Sequence, residues 1–175
     1  MVQLSQYTLE GLFYLLDHSN LRVVAFNLDF NLSFNTSLSN RALKSLSKNL
    51  AEYFEFRTVQ REDRKSFRSI VYTDVEEFFK RIIRKELQPM NTPEGVEQRL
   101  YNIPKTGIKL NRNLLSKNRD ILQRQIKAII LSYTAYSYYT NNYEILEEED
   151  SFYIIPKYKY IPLKERVSPE NSLLK

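Results

Sequence analysis

Apolar side chains at Val24, Phe26, Leu28, Phe30, Leu32 and Phe34 alternate with Ala25, Asn27, Asp29, Asn31 and Ser33. A period of two over this length predicts a long strand with one buried face and one polar face. Before it, Leu9, Leu12, Phe13 and Leu16 recur at helical spacing and predict a short amphipathic helix over 5–17, with Ser5 or Thr8 as cap. After it, Leu43, Leu46, Leu50 and Phe54 predict a helix from about 40 to 52, whose opposite face carries Arg41, Lys44 and Lys48.

Two β-prone runs, Tyr53 to Gln60 and Ser66 to Tyr72, flank the charged stretch Arg61-Glu62-Asp63-Arg64-Lys65 and predict a β-hairpin. Thr73 or Asp74 then caps a helix whose first turn holds Glu76 and Glu77 and whose end holds Lys80, Arg81, Arg84 and Lys85, as the macrodipole favours. Val75, Phe78, Phe79, Ile82 and Ile83 form its core face. Pro89, Pro93, Gly95, Pro104 and Gly107 mark 89–107 as a connector, with room for a short element around Val96 to Ile103.

Leu122, Ile126, Ile129, Tyr133 and Tyr136 predict a long helix over 112–139, ended by the pair Asn141-Asn142. The acidic run Glu147 to Asp150 reads as a solvated turn, Ser151 to Tyr160 as a final strand, and 161–175 as a mobile tail. The expected fold class is α+β: a small sheet with a split β-α-β core packed by helices, plus a long C-terminal amphipathic helix. The expected divisions are an α+β core over 1–88, the connector, a basic helix with a final strand over 108–160, and the tail.

Composition removes several kinds of chemistry. Cysteine is absent, so thiolate nucleophiles, disulfides and cysteine-containing zinc sites are excluded. The three glycines, Gly11, Gly95 and Gly107, lie too far apart for a phosphate-cradling loop, and no cofactor is expected. His18 is the one histidine and no nucleophile motif accompanies it. A carboxylate metal site would have to draw on Asp17 and Asp29, but Asp29 falls on the polar strand face, where solvation explains it. The expectation is therefore a chain without catalytic residues or a metal. The start of the chain lacks a basic and apolar leader, and no run of about 18 apolar residues occurs, so a cytoplasmic or organelle-internal protein with no membrane partner is expected.

Charge is what points to a partner. The net formal charge of +5 is moderate, but between Arg99 and Lys127 eight basic residues stand against Asp120 alone, and five acids follow between Glu144 and Asp150. Segregated signs make a field that can hold a polyanion. The candidate contacts are Arg112, Lys117, Arg124 and Lys127 on the long helix and Arg57, Arg61, Arg64, Lys65 and Arg68 on the hairpin, with Tyr133 and Tyr136 as stacking or hydrogen-bonding groups. The expected function is non-catalytic binding of an RNA or DNA backbone, as a small subunit of a nucleoprotein or larger protein complex. The alternative is a protein-interaction subunit that docks its tyrosine-rich helix on an acidic partner.

The order strand, helix, strand, strand, helix over 22–87 resembles the front of an RNA-recognition motif. Lys65-Ser66-Phe67-Arg68-Ser69-Ile70-Val71-Tyr72 is similar to that family's octamer at its basic first, aromatic third, aliphatic sixth and aromatic eighth positions. Ser66 and Arg68 replace small glycine-like residues and Ser69 replaces a stacking aromatic, so the resemblance implies base stacking for Phe67 and Tyr72 alone. The same region with Leu9-Glu10-Gly11-Leu12-Phe13 before it also resembles the LAGLIDADG homing endonucleases, which implies a basic sheet lying on DNA. Tyr14-Leu15-Leu16 stands where that family places its metal-binding acid, so cleavage is not implied.

Overall fold

The computed structural model describes residues 20–27, 38–59, 68–83, 85–148 and 151–158. The helix expected over 5–17, His18, Asp17, Asp29, the strand expected beyond Asn27, Arg61, Arg64, Lys65 and Phe67, and the expected tail lie outside them. The described chain is mixed helix and strand, with two small sheets and a long helix near its end, an α+β architecture.

The first sheet has three strands in the order β1 (Val23–Asn27), β3 (Ser69–Thr73), β2 (Arg57–Thr58). Helix α1 (Leu38–Phe54) connects β1 to β2, and β3 lies between the two strands it joins, so the expected split β-α-β unit is present. Its strand directions differ from expectation. β3 runs parallel to β1, pairing Val24 with Ile70 and Phe26 with Tyr72, and parallel to β2 as well. Arg57 N–H donates to the Arg68 carbonyl at 3.0 Å and Val59 N–H to the Ile70 carbonyl at 2.9 Å, steps of two residues along both chains. The predicted hairpin is therefore replaced by two parallel strands. The physical reason is burial: Ile70 packs on one face of β3 and Val71 on the other, and a strand covered on both faces suits the centre of a parallel layer.

α1 covers one face of this sheet, where Leu46, Leu50 and Phe54 meet Val24, Phe26, Phe56 and Ile70. The other face carries Val23, Ala25 and Val71 against Tyr138 and Ile154. The face of β1 expected to be polar and open is thus covered at Val23 and Ala25. The polar residue that ends β1 has a structural duty, since Asn27 Oδ1 accepts from the Val75 N–H at 2.9 Å.

Asp74 completes that junction by accepting from the Glu76 and Glu77 N–H groups at 2.8 and 3.1 Å, and α2 (Val75–Ile82) follows. Val75, Phe78, Phe79, Ile82 and Ile83 enter the main core, as the spacing predicts. The stretch 89–107 holds a helix, α3 (Pro93–Asn102), continued by a 3₁₀ turn over Ile103–Thr106. Pro93 occupies the first turn, where it costs no hydrogen bond, and Thr92 Oγ1 caps Gly95 N–H at 3.0 Å. Val96, Leu100 and Ile103 add to the same core as α2.

A second 3₁₀ turn, Arg112–Leu114, precedes α4 (Arg119–Tyr139). The long helix starts later than the expected 112 because Asn118 caps it, accepting from Asp120 and Ile121 N–H at 3.0 and 3.2 Å. Asn141 ends it in the left-handed conformation, at φ 60°, as Asn tolerates at this position. An antiparallel hairpin closes the described chain: β4 (Tyr143–Glu148) with β5 (Ser151–Pro156), Ile145 opposite Ile154. Of the acidic run expected as a turn, Glu147 and Glu148 belong to β4, and Glu149 and Asp150 lie outside the described residues.

Candidate nucleic-acid interface

Basic residues between 99 and 127 divide into two kinds. Arg99 is a core residue, 1% exposed. Its guanidinium donates to the Gln88 carbonyl at 2.8 Å, to the Gly95 carbonyl at 2.7 Å and to the Glu76 carboxylate, and it lies 5.4 Å from the centre of the Phe79 ring. That set of contacts joins α3 to α2. Lys105 is half-buried and donates to Asn102 Oδ1 at 2.6 Å, whereas the other six, Lys109, Arg112, Lys117, Arg119, Arg124 and Lys127, are all exposed. Among the described residues Arg112 is the one member in an ion pair, with Glu97 at 3.9 Å, where both side chains are open to water and the attraction is weak.

The acids that follow do not fold onto this strip among the described ion pairs. Glu144 accepts from Arg81 at 2.8 Å, on α2. Asp120 shares the helix with Arg124, one turn ahead, and is the single carboxylate within the strip. Arg124 and Lys127 sit about 60° apart round α4 and form one cationic face. Lys117 precedes the capping Asn118, so it extends this charge from the lead-in segment and not from the helix itself.

The tyrosines are not on that face. Tyr136 follows Arg124 by twelve residues, about 120° round the axis and about 18 Å along it. It is 63% exposed and, with Leu21, Arg22 and Tyr139, lines a shallow depression of about 480 Å³ beside the start of β1. Tyr133 faces the core. Its ring packs edge-on against Phe78 with centroids 6.1 Å apart, its hydroxyl donates to the Lys157 carbonyl at 3.1 Å, and burial pushes its phenol above the ordinary range.

On the first sheet Arg57 is exposed at the β2 edge. Arg68 is half-buried, donates to the Phe54 carbonyl at 3.0 Å and lies 5.6 Å from the Phe56 ring centre, which ties the end of α1 to β3. Tyr72, which the RNA-recognition resemblance makes a stacking group, is half-buried, tilted against Phe26 and hydrogen-bonded to Ser47 at 2.8 Å. Sequence reasoning missed Lys109 and Arg119 as members of the strip and Tyr101 as an exposed aromatic, 58% accessible on α3. The signal for Tyr101 was its position one turn after Glu97 on a helix that the prolines disguised.

No group of three or more His, Cys, Asp or Glu residues able to hold a metal occurs among the described residues. None of the described helices is long and apolar enough to cross a membrane. No family model, curated protein or solved structure matches the chain.

Proposed function

We propose that the chain binds a nucleic-acid backbone through the cationic strip from Lys109 to Lys127, without catalysis. The observation that carries this reading is the exposure of six cations along one segment, five of them in no ion pair with a described carboxylate. Such groups release condensed counterions from a phosphate chain, an effect that needs charge and spacing but no base contact. Arg57 adds charge at the sheet edge. The reading is tested by purifying the protein without nuclease and comparing absorbance at 260 and 280 nm. Because the chain contains no Trp, its own 280 nm absorbance rests on tyrosine and bound nucleic acid raises the ratio visibly. A ratio typical of protein alone, with no retention of added RNA or DNA at low salt, counts against it.

A second reading rests on a separate observation. Tyr136 and Tyr139, 63% and 55% exposed, stand with Leu21 round the depression at the far end of α4. Exposed aromatics of this kind anchor protein interfaces. A protein partner that stays bound after nuclease treatment, and is lost on Tyr136→Ala, favours this reading over the first.

A further inference from the structure

A second cavity lies where the end of α2 meets α3. It encloses about 410 Å³, within the range of small-ligand pockets, and Ile82, Ile83, Lys85, Tyr101, Lys105 and Tyr158 line it. No carboxylate is among the lining residues. The Lys105 ammonium is held in place before any ligand arrives: it donates to Asn102 Oδ1 at 2.6 Å and sits 4.5 Å from the centre of the Tyr101 ring. Lys85 is exposed at the same cavity and makes no ion pair among the described residues.

The polar groups of the lining already have partners in the fold. Gln98 accepts from the Gln88 N–H and donates to the Glu86 carbonyl, Asn102 donates to the Gln98 carbonyl, and the Tyr158 hydroxyl donates to the Arg81 carbonyl. What the pocket offers a ligand is therefore two ammonium groups, two phenol rings and an aliphatic surface, with little edge-reading capacity. That chemistry matches a molecule anionic at one end and flat and π-rich at the other.

We propose that this pocket takes a single nucleotide, its phosphate on Lys85 and Lys105 and its base against Tyr101, Tyr158 and the two isoleucines, without discrimination among bases. The choice of ligand class rests on the polyanion reading, while the charges involved are different residues. The two surfaces adjoin, because Tyr101 lies one turn from Glu97 on α3 and Glu97 pairs with Arg112 at the head of the strip. A nucleotide in the pocket has left its stack, so the polymer held along the strip is single-stranded.

The test is an amide NMR titration of the full chain with AMP, adenosine and inorganic phosphate in turn. AMP shifts the signals of Tyr101, Lys105 and Tyr158, and adenosine and phosphate each bind about tenfold or more weakly, as loss of one recognition element costs. Lys85→Ala with Lys105→Ala weakens AMP about tenfold with an otherwise unchanged spectrum, whereas Arg124→Ala with Lys127→Ala leaves AMP affinity as it was. Absence of shifts at these three residues, or AMP binding indifferent to loss of both lysines, overturns the proposal. Intact AMP binding in a chain that retains no polynucleotide sinks the polyanion reading alone, and the reverse result sinks the pocket alone.

Discussion

Arg99→Met replaces a buried cation by an apolar side chain of similar length, and the structure states what is lost. The Gly95 carbonyl, bonded at 2.7 Å in a buried setting, and the Gln88 carbonyl, bonded at 2.8 Å, both lose a charged donor. A buried carbonyl that loses a donor costs about 1–3 kcal/mol, and both fall near the lower figure: the Gly95 oxygen keeps its helical bond from the Arg99 N–H, and the Gln88 residue is exposed, so water can replace the donor. Glu76 loses its partner but is 37% accessible, so hydration recovers most of that charge's energy. Methionine keeps part of the packing on Phe79. The expected total is about 2–3 kcal/mol, against a stability of about 5–15 kcal/mol for a domain. Arg99→Lys keeps the charge and gives up the fork, and about 2 kcal/mol is expected. Urea unfolding followed by circular dichroism measures both. A midpoint for Arg99→Met that corresponds to less than about 1 kcal/mol would refute the view that this guanidinium fastens α3 to α2.

Other substitutions probe the same framework. A Cβ at Gly95 would lie 1.9 Å from the Pro89 carbonyl oxygen and 2.7 Å from its carbon, both backbone atoms, so Gly95→Ala must displace the turn before α3 and is expected to cost about 2 kcal/mol or more in urea unfolding. Asp74→Ala removes two N-cap hydrogen bonds and is expected to cost about 1–2 kcal/mol, with Asp74→Asn and Asp74→Ser recovering most of it. Burial raises the Tyr133 phenol above its ordinary 10.0, so the unfolded chain releases that proton first as pH rises. Its contribution is intact below about pH 10 and is lost on going higher, and Tyr133→Phe should flatten that part of the stability profile.

Parts of this fold are legible in the sequence for physical reasons. The second helix is plain because cap, first-turn acids, core positions and terminal cations all agree, and Asp74, Val75, Phe78, Phe79 and Ile82 stand where they imply. The end of the long helix was readable from Asn141, because a residue suited to positive φ announces a stop. Strand direction was not readable. Whether 57–58 and 69–73 pair parallel or antiparallel is decided by what covers Ile70 and Val71, which are contacts far along the chain. The helix Pro93–Asn102 shows in the sequence only as a short element around Val96 to Ile103 because Pro and Gly signal breaks locally, whereas here Pro93 begins the helix and Gly95 lets a neighbouring carbonyl approach.

The candidate surface was partly legible. The density of positive charge between 99 and 127 was visible, and exposure of most of it follows from the polar positions of the pattern. Which arginines serve the fold was not, since Arg99 and Arg68 find carbonyls and rings contributed by other elements. Likewise a run of acids from Glu147 suggests a solvated turn, and only the pairing of Glu147 with Phe152 and Glu148 with Ser151 shows the strand.

Salt dependence tests the strip most directly. Anisotropy of a labelled single-stranded oligonucleotide is measured between about 50 and 200 mM salt for the wild type and for the chain with Arg112, Lys117, Arg124 and Lys127 all changed to Ala. The wild type should weaken steeply with salt, and the variant should bind more weakly with a log–log slope shallower by up to about 3, near 0.7 for each phosphate contact removed. Equal affinity and equal slope in the two chains would show that Arg112, Lys117, Arg124 and Lys127 hold no phosphate backbone, contrary to the proposed function.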